Sequence, residues 1–470
     1  MHGPSAGLLD GCRGRLGRMP LVAASVALWA MCAAALAGAP APVSAPRVVE
    51  ETLVDKVWSG HVVGFDFLQE GDRQFVVYYD AERNMTLATR KVGEDQWSKK
   101  RLPSRTGWDS HNYVTMALDR DKCLHVSGNM HSCPLIYFRG SKPLDIESVE
   151  PVKAMVGGHE GSTTYPQFIH DADGRLLFTY RSGGSGNGLN LVNVYDEKAK
   201  AWKRLLDQPL FDGTKRSMNA YPPGPPSRGP DGFFHTVWVW RDTPDAATNH
   251  TVCYARSRDL VHWETVDGKP VALPITPDNK DVVVDPVSAR KGLINMGHGV
   301  GFDEAKRPVV NYHKYDGKGD SQIWLARWED GAWKIRQASS WEHRWQFGGG
   351  GAFECQVLAS PVRPLGKGKL VQTWRHEKFG SGAWEIDAAT LEVTGPAKLP
   401  AQFPREVAQP VIEFDGIAVR WQGCKGPSDS PPARYFLRWE TLGANRDRAR
   451  SGPLPPPSEL RVLKIAPAGG

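Results

Sequence analysis

Short runs of alternating β-branched and aromatic residues, broken by acidic or glycine turns, recur along the chain and predict strands joined in hairpins. Residues 119–121 precede Leu124-His125-Val126, residues 171–174 precede the run 176–180, and Asp231-Gly232 precedes the run 233–240. The same arrangement returns at 303–312 and at 415–421. A β-rich unit that ends in Arg or Tyr, with a Trp seven residues later, also recurs: Arg90 and Trp97, Tyr195 and Trp202, Arg256 and Trp263. Arg327 and Trp333 keep the pattern at a spacing of six, and weaker copies lie at 135–139, 384–387 and 435–439.

Repeats of about 55 residues with four strands each describe propeller blades. Seven such units predict one all-β domain, a seven-bladed β-propeller of four-stranded antiparallel blades, over residues 50–445. A strand near 53–58 would complete the last blade and close the ring, and the recurring Trp would pin each outermost strand to its neighbour. A β-sandwich pair and a right-handed β-helix are the competing readings, but the repeat is too long for β-helix rungs.

Composition fits this picture. The 49 Gly and 36 Pro supply turns and leave little room for long helices, while 17 Trp and a 10% aromatic content exclude a disordered chain. The formal charge of +6 drops to +4 beyond residue 39, because Arg13, Arg15 and Arg18 stand against Asp10 in the first 39 residues. That excess is too mild for a nucleic-acid binder driven by bulk charge.

Those three arginines lead into an uncharged stretch rich in Ala, Leu and Val that ends at Ala37-Gly38-Ala39, the pattern of a signal peptide over residues 1–39. A flexible N-terminus over 40–49 and a Pro-rich C-terminal tail over 446–470 complete the expected organisation. The mature protein is expected to be secreted or periplasmic, monomeric and free of the membrane; an uncleaved anchor is the alternative, since the apolar run is long for a signal core. Cys123, Cys133, Cys253, Cys355 and Cys424 remain after cleavage. Their odd number, wide scatter and lack of a Cys-x-x-Cys pair predict buried free thiols.

In a propeller, the start of each innermost strand and the end of each second strand meet at one rim. The first position reads His111, Tyr165, Tyr221 and His298; the second reads His131, Arg181, Arg241, His313-Lys314, Arg375-His376 and Arg420. Basic groups in nearly every blade predict a cationic ring suited to an anionic polysaccharide, with Tyr and Trp for the sugar faces. No acidic pair of the kind glycosidases use falls in this register. Tyr, His and Arg fit eliminative cleavage of a uronate polymer instead. Arg181 is the carboxylate clamp, Tyr165 and His111 are the base and acid candidates, and His131, Tyr221, Asn112, Arg241 and His298 are substrate contacts. This chemistry requires no cofactor. The glycine-rich segments 183–188 and 348–351 read as flexible rim loops; the first lacks the Lys-Ser/Thr ending and following helix of a phosphate loop.

Asp109-Ser110-His111-Asn112, His131, Thr164-Tyr165-Pro166, Tyr180-Arg181-Ser182-Gly183 and Asn219-Ala220-Tyr221-Pro222 together resemble the propeller ulvan lyases of polysaccharide lyase families 24 and 25, within the BNR-type repeat proteins. Segment 435–442, followed by Asn445-Arg446-Asp447, is similar to the end of family 25 members. The resemblance implies a seven-bladed propeller that cuts ulvan, a sulfated rhamnose–uronate polymer, by β-elimination. It implies His111 and Tyr165 as general base and acid, Arg181 against the uronate carboxylate, and His131 and Tyr221 in support. Some relatives carry a structural metal held by His and Cys. Here Cys253 and His235 fall in neighbouring strands, but the sequence completes no ligand set around them. Two rival functions stay open. One is a sialidase-like glycosidase, since Ser257-Arg258-Asp259-Leu260 with Trp263 faintly echoes an Asp-box; the other is a non-catalytic propeller that binds sulfated glycans.

Overall fold

The computed structural model describes residues 45–426 and 433–467. Residues 1–39, read as a signal peptide, lie outside the described residues. Nearly all regular structure is antiparallel strand, and the strands pair into seven sheets. The first sheet runs Asp66–Glu70, Arg73–Tyr79, Asn84–Lys91, Ser98–Arg105, each strand hydrogen-bonded to the next. The following sheets repeat this meander, beginning at Val114–Leu118, Thr163–His170, Asn219–Tyr221, Gly299–Phe302, Val357–Ala359 and Ile417–Gly423.

Second strands show why the units cannot stand alone. Arg73–Tyr79 and Phe234–Arg241 are buried along almost their whole length rather than on alternate residues. Both faces must therefore be covered, as in a sheet packed between two others. The inner strand Asp66–Glu70 lies against Val114–Leu118, and that strand lies against Thr163–His170. Phe234–Arg241 lies against Gly299–Phe302, Pro308–Tyr315 against Val357–Ala359, and Asp66–Glu70 back against Ile417–Gly423. The result is an all-β propeller.

Closure joins the two ends of the chain. In the last sheet the order is Arg47–Val57, Ser458–Ala466, Arg434–Leu442, Ile417–Gly423. The strand expected near 53–58 is present, begins at Arg47 and is outermost in this sheet. Two expected boundaries are thereby corrected. The end of segment 40–49 is strand rather than flexible lead-in, and segment 446–470 is not a tail. Ser458–Ala466 pairs on both edges; Leu460, Val462, Leu463 and Ile465 are 0–3% exposed, and Leu460 and Val462 pack in the core shared with Val54, Tyr78 and Leu437. The prolines before it end the preceding loop without interrupting the strand.

Trp202, Trp263 and Trp333 sit on outer strands, as the repeat predicts. The repeat's Arg327 is 1% exposed and reaches the Ala388 and Ala389 carbonyls (2.5 and 2.8 Å) from Nη1 and Nη2, tying the fifth sheet to the sixth. Among the described residues, Cys123, Cys133, Cys253 and Cys355 form no disulfide, and Cys123, Cys253 and Cys355 are buried. Among the described residues, no helix is long and apolar enough to cross a membrane.

Leu460→Ala is expected to cost about 2–5 kcal/mol in chemical denaturation, and a chain ending before residue 458 to lose the cooperative transition. A Leu460→Ala midpoint equal to wild type would show that this strand does not carry closure.

Candidate active site

Residues from the second, third and fourth sheets converge on a cavity of about 550 Å³, lined among others by His111, His131, Tyr165, Arg181, Tyr221 and Arg241. Asp109 begins this arrangement. It caps the short 3-10 turn Ser110–Asn112, its Oδ1 accepting from the His111 backbone N–H at 2.8 Å, as Asp does at helix starts. The cap also places the His111 ring, whose Nδ1 is 2.6 Å from the same oxygen. The other oxygen, Oδ2, lies 2.5 Å from His131 Nδ1. The two imidazoles stack with centroids 4.0 Å apart. His131 arrives on the short strand His131–Cys133, which adds to the edge of the third sheet beside Thr163 and Thr164.

Tyr165 occupies a break in the pairing of Thr163–His170 with Leu176–Ser182. Its φ is +59°, a left-handed value that a bulky residue before proline rarely adopts. Such strain persists where surrounding structure enforces it and clusters at functional sites. Here it brings the phenol within 5.5 Å of His111, centroid to centroid, and lets the Arg181 Cζ sit 5.0 Å from its ring centre. Burial pushes the Tyr165 hydroxyl up to about 12, with Arg181 pulling the other way. At neutral pH this phenol carries its proton and can donate it.

Arg181 is only 2% exposed. Nη2 donates to Thr164 Oγ1 at 3.1 Å and Ser132 Oγ at 3.4 Å, and Nε to the Gly183 carbonyl at 3.3 Å. No carboxylate pairs with it among the described residues. Gly188 permits the approach, since a Cβ there would meet Arg181 Cδ at 2.7 Å. Tyr221 follows, its ring centre 6.0 Å from Arg181 Cζ and 5.3 Å from Arg241 Cζ, its hydroxyl bonded to Ser185 Oγ. The 183–188 loop is beside the site as expected, but it is stapled rather than loose. Asn219 accepts from Gly188 N at 2.5 Å and donates to the Gly184 carbonyl at 2.8 Å.

Several predicted positions do not reach the cavity. Asn112 is buried behind it, with Nδ2 toward Thr106 Oγ1 (3.4 Å) and its carbonyl accepting from Tyr79. His298 lies behind Tyr221 and donates from Nε2 to the Tyr221 carbonyl at 3.0 Å. The cationic ring stops after the fourth sheet. His313 holds the Gly292 carbonyl, His376 packs on Trp341, Lys314 pairs with Asp285, and Arg420 faces Glu354. These side chains meet local packing needs that register alone does not reveal.

Sequence reasoning missed Asp109 and Asp447 as parts of the site. Asp447 Oδ2 is 3.7 Å from His111 Nδ1 and accepts from Ala352 N at 2.7 Å, fixing a loop of the sixth sheet to the turn at Ser110. The doublet Asp109-x-His111 carried the local signal for Asp109. Asp447 fell in the segment similar to family 25 members, but nothing local gave it a role, because it acts across 337 residues of chain.

Among the described residues, Cys253 and His235 belong to no group of three or more metal-ligating side chains. They are not cross-strand partners, and His235 is held by Tyr254 and Asp231. The donor atoms of Asp109, His111, His131 and Asp447 do lie within 4.8 Å of one another. Two ligands on one tetrahedral zinc would stand about 3.3 Å apart, whereas the 2.5 and 2.6 Å contacts to Asp109 are hydrogen bonds. Burial raises the Asp109 carboxyl, but the hydrogen bonds and charges of His111 and His131 outweigh it and hold the group well below its usual range.

The fold and this cluster define a β-propeller with a concave, partly cationic site. Residues 73–341 match the family described as BNR repeat-containing family member, and the chain belongs to that family. No curated protein matches it in sequence. It is similar to the crystal structure of polysaccharide lyase Uly1, with a TM-score of 0.60, 13% identity, and 89% of this chain and 99% of that one covered. It is also similar to a PL25 ulvan lyase, free and bound to -[GlcA(1-4)Rha3S]-, each with a TM-score of 0.57, 14% identity, and 90% and 96% covered. At these identities the likeness is one of fold.

Burial lowers His298, His313 and His376 to about 4. An unfolded chain takes up protons at these rings near pH 6.5, the folded protein only near 4, so folding stability falls as pH drops between those values. The depressed carboxyl of Asp109 acts lower, below about 4. The urea midpoint is expected to decline steadily from pH 7 to 4.5; a flat profile would mean that these rings protonate inside the folded protein.

Proposed function

We propose that the protein is a secreted polysaccharide lyase that cleaves a uronate-containing, ulvan-like sulfated polysaccharide by β-elimination, with its seven sheets acting as seven blades. One observation carries the reading. Arg181 is a buried guanidinium that no carboxylate among the described residues pairs, on the wall of a cavity that also holds His111 and Tyr165. Its planar fork suits a bidentate uronate carboxylate. Neutralising that carboxylate acidifies the C5 proton and stabilises the enolate-like charge that forms when it leaves.

His111 Nε2 accepts the C5 proton, the C4–O bond breaks, and the protonated Tyr165 hydroxyl supplies a proton to the departing oxygen. The product end carries a C4–C5 double bond. Tyr221 and Arg241 extend the wall beyond Arg181 and support the neighbouring sugar. The glycosidase alternative is disfavoured because Asp109 and Asp447 stand behind the imidazoles and do not line the cavity, where paired acids would have to flank the scissile bond. The match to ulvan lyase folds agrees with this reading without fixing the polymer.

Incubation with ulvan and other uronate polymers is expected to raise the ultraviolet absorbance of unsaturated uronates. New reducing ends without that absorbance would indicate hydrolysis, and binding without new ends a lectin. Arg181→Met and Tyr165→Phe are each expected to lower turnover by at least about 10²–10³-fold. Arg181→Met is also expected to keep or raise the melting temperature, because a buried unpaired cation is replaced by an apolar chain. Wild-type rates in both variants would refute this site.

A further inference from the structure

Asp109 does more than cap a turn. A cap needs one oxygen, and Oδ1 supplies it to the His111 backbone N–H. Yet Oδ1 also binds the His111 ring, and Oδ2 binds the ring of His131, 22 residues further along. An ionised carboxylate only accepts hydrogen bonds, so both Nδ1 atoms must carry hydrogen. In each neutral ring the lone pair then lies on Nε2. Neither Nε2 has a partner among the described residues, and both rings line the cavity.

We infer that Asp109 is the positioning residue of this site, fixing His111 and His131 together as Nδ1–H tautomers. The proton that His111 takes from substrate lands on a ring whose far nitrogen is held by the Asp109 carboxylate. Asp447 and His61 face this cluster from neighbouring loops, and Tyr165 and Arg181 from the third sheet. Asp447 Oδ2 is 3.7 Å from His111 Nδ1, beyond hydrogen-bond distance, and is held by backbone N–H. Asp109 alone bonds both rings.

The tautomers can be read without turnover, so this inference and the lyase reading on which its proton step rests fail separately. Selectively ¹⁵N-histidine-labelled protein should show His111 and His131 as Nδ1–H by NMR; an Nε2–H form of either ring in wild type overturns the inference. In Asp109→Asn the amide oxygen can keep the turn capped, while its NH₂ faces His131 Nδ1 and forces that ring to the Nε2–H form. If the protein is a lyase, kcat of this variant should fall about 10²–10⁴-fold with KM within about threefold. Unchanged tautomers with an unchanged kcat would reduce Asp109 to a turn cap. A wild type without lyase activity but with both Nδ1–H signals would count against the lyase reading alone.

Discussion

The guanidinium of Arg181 is the constraint around which the cavity is organised. Removing an ion from water costs several kcal/mol even after relaxation, and no carboxylate among the described residues offsets it. Five groups supply partial compensation: two hydroxyls, a backbone carbonyl, and the faces of Tyr165 and Tyr221. Each group imposes a structural demand. The Ser132 hydroxyl requires the His131–Cys133 strand to cross to the third sheet. The Tyr165 face requires a left-handed residue before proline, and the arginine stem requires glycine at 188. Stability is given up locally so that a cation stands ready for an anion, a trade typical of functional sites.

The second organising interaction is the Asp109 carboxylate between two imidazoles. It joins the second sheet to the edge of the third, and Asp447 ties the same turn to the sixth and seventh. Ring closure through Arg47–Val57 and Ser458–Ala466 holds those sheets in place. Chemistry and closure are thus mechanically linked, since loops separated by more than 300 residues meet at one histidine.

Much of the architecture was legible because it depends on local regularities. Hairpin turns, strand alternation and the outer-strand Trp repeat with the blade and need no long-range information. The rim register located His111, His131, Tyr165, Arg181, Tyr221 and Arg241 for the same reason. It failed at His298, His313 and His376, where the same position faces a packed interior and the ring serves a backbone carbonyl or an aromatic neighbour. Register states where a side chain starts; burial of its neighbours decides what it meets. The last strand escaped notice because the prolines before it suggest an ending, although Leu460 and Val462 alternate with Glu459 and Arg461 as in a strand. Asp447 was beyond reach, since its role exists only once the ring has closed.

The central claim is that a uronate carboxylate binds Arg181 and makes the neighbouring C–H acidic. The most direct measurement compares one uronate-containing polymer with its carboxyl-reduced form, following unsaturated ends by absorbance and proton NMR. Unsaturated products are expected from the uronate polymer and none from the reduced one. Equal cleavage of both polymers, or chain breakage of the uronate polymer without a C4–C5 double bond, would contradict it.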